Sequence, residues 1–127
     1  MDNDVGLRAF QVVSEERAQR WHGENEWTSE RWLCALIGEL GEAANDLKKI
    51  WRAEDGIAND GDPPVSELRK SAGVELADVQ AYLVCLATSL DVDLASVTAA
   101  KFNEVSERYD FPERVELPTP LLFRFRG

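Results

Sequence analysis

The pattern of apolar and polar positions along the chain predicts four helices joined by short breaks. Apolar residues recur at helical spacing from about Val5 to Trp21, which predicts an amphipathic first helix. The same reasoning predicts a second helix from about Ser29 to Arg52, a third from about Glu67 to Leu90 and a fourth from about Leu94 to Arg108. The chain is therefore expected to be all-α, with a four-helix core in residues 5–109 and a tail in residues 110–127.

Capping and turn residues mark the ends of these helices. Thr28 and Ser66 each stand where a side-chain hydroxyl can cap the helix that follows. Residues 53–64 are rich in Asp, Asn, Gly and Pro, which predicts a loop. The fourth helix is expected to end before Pro112, because the residue preceding a proline disfavours helix. The tail, with apolar residues 121–123, either packs on a neighbouring subunit or forms an extended arm.

Two of the predicted helices carry a pair of acids within an otherwise apolar stretch. Glu39 and Glu42 fall in the apolar stripe of the second helix, and Glu75 and Asp78 begin the apolar run of the third. Residues three apart project from one face of a helix, so each pair is expected to point into the core. Because buried carboxylates are costly without a positive partner, the four acids predict a bound divalent cation.

The ligand types indicate which cation this is. Carboxylate oxygens alone select hard cations, with Mg²⁺ expected and Mn²⁺ as the alternative. A di-iron site in a helix bundle would need Glu-x-x-His motifs, and the single histidine, His22, lies in none. Zinc is disfavoured because no histidine or cysteine has suitable spacing. Mg²⁺ is usually shared between a few carboxylates and substrate phosphates, so the site suits a nucleoside triphosphate.

Composition narrows the class of protein further. The 127 residues, 44% hydrophobic and 30% charged, are typical of one soluble globular domain, and the net charge of -10 disfavours a nucleic-acid partner. No apolar run is long enough to span a membrane, and residues 1–4 are too acidic for a signal peptide, so a cytoplasmic location is expected. Cys34 and Cys85 lie in apolar helical runs and are expected to be buried, reduced thiols.

The two acidic motifs also resemble a known family. Glu39-x-x-Glu42 followed by Glu75-x-x-Asp78 resembles the E-x-x-E and E-x-x-D signature of the MazG-like, all-α nucleoside triphosphate pyrophosphohydrolases. Residues 35–43 and 75–83 look like the two core segments of that family, and residues 101–109 look like its third segment. The resemblance implies a four-helix core, assembly into a homodimer or homotetramer, Mg²⁺ dependence, and hydrolysis of a nucleoside triphosphate to the monophosphate and pyrophosphate.

The resemblance covers roughly residues 10–112 and has one departure. Some family members place an asparagine four residues after the lysine of the third segment, whereas this chain has Val105 there. Asn103 or Ser106 is available as a substitute. This departure bears on the third segment and leaves the four carboxylates unaffected.

We expect distinct roles for the four acids. Glu39, Glu42 and Asp78 are expected to ligate Mg²⁺, and Glu75 is expected either to complete the ligand shell or to orient and deprotonate the attacking water. The carboxylates are thus both the metal ligands and the catalytic groups. No covalent nucleophile is needed for this hydrolysis.

A triphosphate also needs positive charge and a surface for its base. Lys101 is the first candidate for phosphate binding; Lys48 and Lys49 are further candidates, although favourable charge at a helix C-terminus explains them equally well. Aromatic and polar side chains suited to base binding are Trp27, His22, Trp32 and Asn103. The alternative function is a non-catalytic helical oligomerisation or interaction module, in which the acids are structural or bind a basic partner surface.

Overall fold

The computed structural model describes residues 6–118 and confirms the all-α fold. Its four helices are α1 (Leu7–His22), α2 (Ser29–Glu54), α3 (Val65–Ser89) and α4 (Leu94–Arg108), and no strand occurs within residues 6–118. Val5 and the apolar residues 121–123 lie outside the described range. Within that range no single helix is both long and apolar enough to cross a membrane; only α3 and α4, taken together as a bent pair, reach such a length and composition.

The starts of α2 and α3 show which predicted caps operate. Thr28 caps α2, because its side chain accepts a hydrogen bond of 3.4 Å from the backbone N–H of Arg31. The prediction that Ser66 caps α3 is wrong. The carbonyl of Pro64 accepts the N–H of Glu67 at 3.0 Å and that of Leu68 at 3.1 Å, so Ser66 already lies in the first turn. A proline loses nothing at a helix start, where N–H groups have no intrahelical acceptor.

Packing divides the described chain into two compact units. One comprises the residues up to Trp27 together with those from Val84 onward, and the other is Thr28–Leu83. The unit Thr28–Leu83 contains all of α2 and most of α3, and therefore all four predicted metal-binding acids. The first unit contains α1 and α4, which lie against each other.

The unit Thr28–Leu83 is built on one buried stripe of α2. The indole of Trp32 is only 7% exposed and its ring centroid lies 6.0 Å from that of Tyr82 on α3. Leu47, an apolar residue beside this stripe, is exposed. It lies only about 20–60° around α2 from Leu36, Ala43 and Ile50, so the covered part of the helix ends close to it. The buried residues of α2 are Trp32, Leu36, Ala43 and Ile50.

A buried glutamine joins α1 to the turn between α3 and α4 in the other unit. Gln11 is fully buried; its amide nitrogen donates to Thr88 Oγ1 at 3.1 Å and to the carbonyl of Val92 at 2.7 Å. Its amide oxygen accepts the backbone N–H of Leu94 at 3.0 Å. The side chain thus satisfies backbone groups that the turn would otherwise leave unpaired in the interior.

Gln11→Ala is therefore expected to lower the free energy of unfolding by about 2 kcal/mol, because it removes a buried hydrogen bond to Thr88 and the partners of two part-buried backbone groups, at Val92 and Leu94. Urea unfolding followed by circular dichroism measures this change. The matched control is Gln19→Ala on the same helix, where the exposed side chain makes one local hydrogen bond to Glu15 at 3.1 Å. We expect the control to change stability by less than about 0.5 kcal/mol. Equal losses in both variants would contradict the role assigned to Gln11.

The two cysteines have different environments. Both are free thiols, but only Cys85 is buried, whereas Cys34 is exposed. Burial raises the pKa of the Cys85 thiol to about 11, and the nearby charge of Glu15 adds to the effect. The prediction of a buried thiol is confirmed for Cys85 and wrong for Cys34. Cys34 lies on the side of α2 turned away from Leu36 and Ala43, the residues that α2 buries.

Candidate metal centre

Three of the predicted acids converge between α2 and α3. Glu39, Glu75 and Asp78 each offer one carboxylate oxygen, and these three oxygens lie within 4.8 Å of one another. The oxygen ligands of Mg²⁺ sit about 2.0–2.1 Å from the ion, so ligands of one ion lie within about 4 Å of each other. Small side-chain rotations bring the three oxygens to that spacing. This acidic triad can hold a metal ion.

Glu42 lies next to the triad, because its side chain is close to that of Glu75. The Glu75 carboxyl is within hydrogen-bonding reach of both Glu39 and Glu42, so α2 presents two acids to one acid of α3. All four acids singled out in the sequence therefore meet at one place. The two acids of each pair are three residues apart, so they are separated by only about 60° around the helix axis and point toward the same neighbouring helix.

Glu75 has the most perturbed ionisation in the cluster. Hydrogen bonding to Glu39, followed by burial and by the proximity of Glu42, raises the pKa of Glu75 to about 7. Ionised carboxylates accept hydrogen bonds but cannot donate one, so these acids cannot pair with one another when all are ionised. Glu75 Oε2 is inaccessible to solvent and has no hydrogen-bond partner among the described residues. Such an orphaned oxygen is uncommon in folded proteins. A divalent cation suits it, because a cation would both pair with this oxygen and replace the proton.

The cluster is more open than the sequence predicted. Glu39 and Glu75 are half-buried, whereas Glu42 and Asp78 are exposed. The prediction that all four acids point into a dry core is therefore wrong for Glu42 and Asp78. In each pair one acid lies close to the contact between helices, and its neighbour three residues away lies about 60° further round, where it meets solvent. The centre is accordingly accessible from outside.

A shallow groove of about 480 Å³ runs along α2 from Glu42. Lys48 lies on this groove, together with small residues and one amide: Gly38, Gly41, Ala44 and Asn45. Apart from Glu42 and Lys48, sequence reasoning had not assigned these groove residues a role. The sequence feature that could have indicated the groove is the recurrence of small residues on one face of α2.

Lys49 has a different setting from Lys48. Burial disfavours ionisation of Asp62, but hydrogen bonds from the Asn59 backbone and from Arg52, with the charges of Arg52 and Lys49, outweigh it and hold the pKa of Asp62 below its ordinary value. The guanidinium of Arg52 donates to Asp62 at 3.2 Å. Lys49 therefore contributes to the charge balance of the loop after α2, and phosphate binding by this lysine stays a prediction.

Two candidates from the third resembling segment lie on α4. The ammonium of Lys101 donates to Glu104 at 3.0 Å and is exposed. The amide of Asn103 donates to the carbonyl of Val115 at 2.9 Å and accepts the N–H of Val115 at 2.8 Å. Asn103 thus holds the segment that follows α4, and base binding by this amide would require Val115 to be released.

The aromatic candidates fall into two environments. His22 and Trp27 form a ring pair with centroids 4.9 Å apart, and Trp21 stacks on the other side of His22 at 6.3 Å. Trp21 and His22 end α1, and Trp27 stands just before α2. Trp32, in contrast, is buried against Tyr82, and core packing accounts for it. Of the predicted base-binding aromatics, His22 and Trp27 retain partly exposed rings.

Two known proteins are similar to part of this chain. The Gene 37 protein of Mycobacterium phage L5 is 41% identical over 75 residues, which cover 59% of this chain and 60% of that protein. The dCTP pyrophosphatase 1 of Mus musculus is 35% identical over 77 residues, which cover 61% of this chain and 43% of that protein. The chain therefore matches less than two thirds of the length of either relative. No family model matches the sequence.

Proposed function

We propose that this protein is a Mg²⁺-dependent nucleoside triphosphate pyrophosphohydrolase, which releases a nucleoside monophosphate and pyrophosphate from ribo- or deoxynucleoside triphosphates. The observation that carries the proposal is the convergence of Glu39, Glu75 and Asp78, where one Glu75 oxygen has no hydrogen-bond partner within residues 6–118. The similarity to a dCTP pyrophosphatase and the resemblance to the MazG-like family support the same reaction class. We further propose that the active species is a homodimer or homotetramer, as that resemblance implies.

The donor set suits Mg²⁺, with Mn²⁺ as the alternative, because only carboxylate oxygens are present. Glu39, Glu42 and Asp78 would hold the ion, and Glu75 would complete the shell or face the attacking water. When bound, Mg²⁺ neutralises phosphoryl oxygens and lowers the pKa of water. The exposure of Glu42 and Asp78 supports this assignment, because a triphosphate must reach the ion from solvent.

Glu75 is the residue best placed to take the proton of the attacking water. Its carboxyl lies within hydrogen-bonding reach of Glu39 and Glu42, and one of its oxygens has no hydrogen-bond partner among the described residues, so this oxygen is available to accept a proton. Glu39 and Glu42 hold it in position from α2. The exposed carboxylate of Asp78, one turn further along α3, is left to contact the ion.

Phosphate binding is proposed for Lys48, because it lies on the groove that begins at Glu42. Lys101 and Lys49 stay predictions for the same role. The partly exposed rings of His22 and Trp27 offer a surface on which a base can stack.

A substrate panel tests the proposal. The purified protein is incubated with the common ribo- and deoxynucleoside triphosphates in Mg²⁺, in Mn²⁺ and in chelator, and pyrophosphate, orthophosphate and monophosphate are measured. We expect pyrophosphate and monophosphate in equal amounts, and only when a metal is present. Orthophosphate with the diphosphate, or no hydrolysis of any nucleotide, would contradict the proposal.

The alternative is a non-catalytic helical oligomerisation or interaction module. One observation favours it: α2 exposes large apolar side chains that an enzyme site does not require, namely Leu33, Ile37, Leu40, Leu47 and Trp51. In that case the acids would be structural or would bind a basic partner. A blank substrate panel combined with a well-folded oligomer would favour this alternative.

A further inference from the structure

A groove lined mostly by apolar side chains runs along α4. This α4 groove has a volume of about 790 Å³, and its walls include Val97, Phe102 and Val105 of the helix and Phe111 of the segment that follows. Three of these side chains are well exposed to solvent: Val97 by 48%, Phe102 by 45% and Phe111 by 55%. A contiguous apolar surface on a small domain usually marks a place where another apolar group binds.

The segment after α4 turns back and runs beside the helix. The backbone N–H of Phe111 donates to the carbonyl of Ser106 at 2.8 Å, and Val115 forms two hydrogen bonds with Asn103. The chain therefore runs from the C-terminal end of α4 toward its N-terminal end. Pro118, where the described residues end, is three residues beyond Val115 and so lies within about 10 Å of it. The rest of the chain thus begins beside the helix whose face forms the groove.

The length of the remaining chain is enough to cross the α4 groove. Residues 119–127 span up to about 30 Å when fully extended. Val97 and Ser106, at the two ends of the groove on α4, differ by only about 14 Å along the helix axis. The two prolines 118 and 120 are typical of a turn. The tail can therefore change direction there and still lie along the whole groove.

The sequence of the tail has the pattern that an apolar groove requires. In an extended segment alternate side chains point to opposite sides. One set of alternate positions in the tail is wholly apolar, and the other set contains both of its arginines. An extended tail would therefore present one apolar side to the groove and a charged side to solvent. The apolar set is Leu121, Phe123 and Phe125, and the other set is Leu122, Arg124 and Arg126.

Charge also favours the tail as the occupant of the groove. The tail carries two arginines and no acid, whereas the chain as a whole has a net charge of -10. Two charged side chains, Lys101 and Glu113, lie on the groove. The ammonium of Lys101 donates to Glu104 at 3.0 Å, so this cation is balanced within α4. The carboxylate of Glu113 would attract the arginines of a docked tail.

We propose that residues 121–125 bind in the α4 groove of their own chain as an extended segment, with its apolar side on the floor of the groove. Only two residues separate this segment from Pro118, so its effective concentration at the groove is on the order of millimolar. An apolar segment of a second copy, or of another protein, would have to compete with this tethered one. The proposal is independent of the hydrolase activity, because the groove contains none of the four acids.

The first test measures whether the α4 groove is covered. Thr98→Cys places a thiol at an exposed position of the groove, in a Cys34→Ser background whose remaining thiol, Cys85, is buried. We expect a thiol reagent to label the introduced thiol at least about 10-fold faster when the tail also carries Phe123→Asp, because a charge opposes binding in an apolar groove. Leu122→Asp makes the matched change on the other side of the tail and should leave the labelling slow.

Ala100→Cys is the control for the position of the thiol. It is exposed on the same helix but lies about 160° around the axis from Thr98. Its labelling should be the same with all three tails, and far-ultraviolet circular dichroism checks that every variant stays helical. Equal labelling of the Thr98→Cys protein with the wild-type and Phe123→Asp tails would overturn the proposal. Equal effects of Phe123→Asp and Leu122→Asp would overturn it as well.

The second test identifies the chain to which the docked tail belongs. Leu121 is the first residue proposed to bind, and Thr98 lies in the N-terminal half of α4, toward which the chain runs at Pro118. Leu121→Cys with Thr98→Cys, again in the Cys34→Ser background, should form a disulfide within one chain under mild oxidation. A non-reducing denaturing gel gives the mass, and peptide mass spectrometry gives the linked residues. Adding Phe123→Asp should reduce the yield. A disulfide between two chains would make a second copy the occupant, and no disulfide would leave the groove to another partner; either result overturns the proposal.

Discussion

Glu39→Gln and Asp78→Asn are each expected to lower kcat/KM for nucleoside triphosphate hydrolysis by at least about 100-fold, because each removes a ligand charge from a site with few ligands. Both substitutions keep the size of the side chain and take an oxygen out of the triad. Pyrophosphate release at saturating Mg²⁺ measures the effect. Titration calorimetry with Mg²⁺ alone should show weakened metal binding in the same variants.

Stability measurements separate loss of the site from loss of the fold. Each variant relieves repulsion between acids, so its melting temperature in chelator should equal or exceed that of the wild type. The matched control is Glu67→Gln, which neutralises an exposed acid in the first turn of α3, two turns before Glu75. We expect the control to keep wild-type activity. Wild-type activity in both Glu39→Gln and Asp78→Asn would remove the proposed metal centre.

The metal-free protein is expected to lose stability as the pH rises from about 4.5 to about 7, and Mg²⁺ is expected to reverse the loss. The pKa of Glu75 is about 7 in the folded chain and lies near its ordinary value of 4.5 when unfolded. Between these values the folded state holds a proton that the unfolded state has released. Stability therefore falls as the pH rises through this window, and the contribution is complete only below it.

Other perturbed acids act in a different pH range. Hydrogen bonding from Arg8 and Ser96 outweighs burial and lowers the pKa of Asp93, and hydrogen bonding from Lys101 lowers that of Glu104. A lowered pKa contributes stability above the ordinary value of the acid and loses it below. These groups therefore make the protein less stable in acid, at pH values below the window assigned to Glu75. The two effects have opposite slopes and are separable.

Glu75→Gln is the variant that tests this assignment. Thermal unfolding in chelator at a series of pH values should show a flat profile between pH 4.5 and 7 in Glu75→Gln and a falling one in the wild type and in Glu67→Gln. Adding Mg²⁺ should raise the melting temperature of the wild type most at the upper end of the range, where the cation competes with fewest protons. The same slope in Glu75→Gln and wild type would show that another group titrates.

Three kinds of side chain lie side by side around α2. One stripe packs within the chain, the acids on one flank face α3, and large apolar side chains on the other flank are exposed. A single amphipathic helix of 26 residues normally has one apolar stripe and a polar remainder. In α2 the remainder is divided, because exposed large apolar side chains lie on one flank of the buried stripe and the acids Glu39 and Glu42 lie on the other.

Much of the fold was predictable because helix formation depends on neighbours in sequence. The bounds of α4 agree with the prediction, and the cap at Thr28 operates as expected, since caps and periodicity are local properties. The grouping of the four acids was also predictable, because the spacing within each pair is set by the helix. Ser66 failed as a cap because the helix begins at Val65, after Pro64, two residues earlier than a cap at Ser66 would place it.

The sequence by itself determined that the chain is helical, where its helices lie, and that two acidic pairs project from two of them. Only the tertiary structure decided which side of each helix is covered: Glu42, Asp78, Cys34 and Leu47 face outward although each lies in an apolar run. It also showed that the Asn103 amide donates a hydrogen bond to the carbonyl of Val115. One oxygen of Glu75 has no hydrogen-bond partner in the part of the chain that the structure describes. The physical reason is that periodicity reports positions around a helix axis, whereas burial depends on which neighbouring helix lies against that position, and α2 is apolar on more sides than one chain covers.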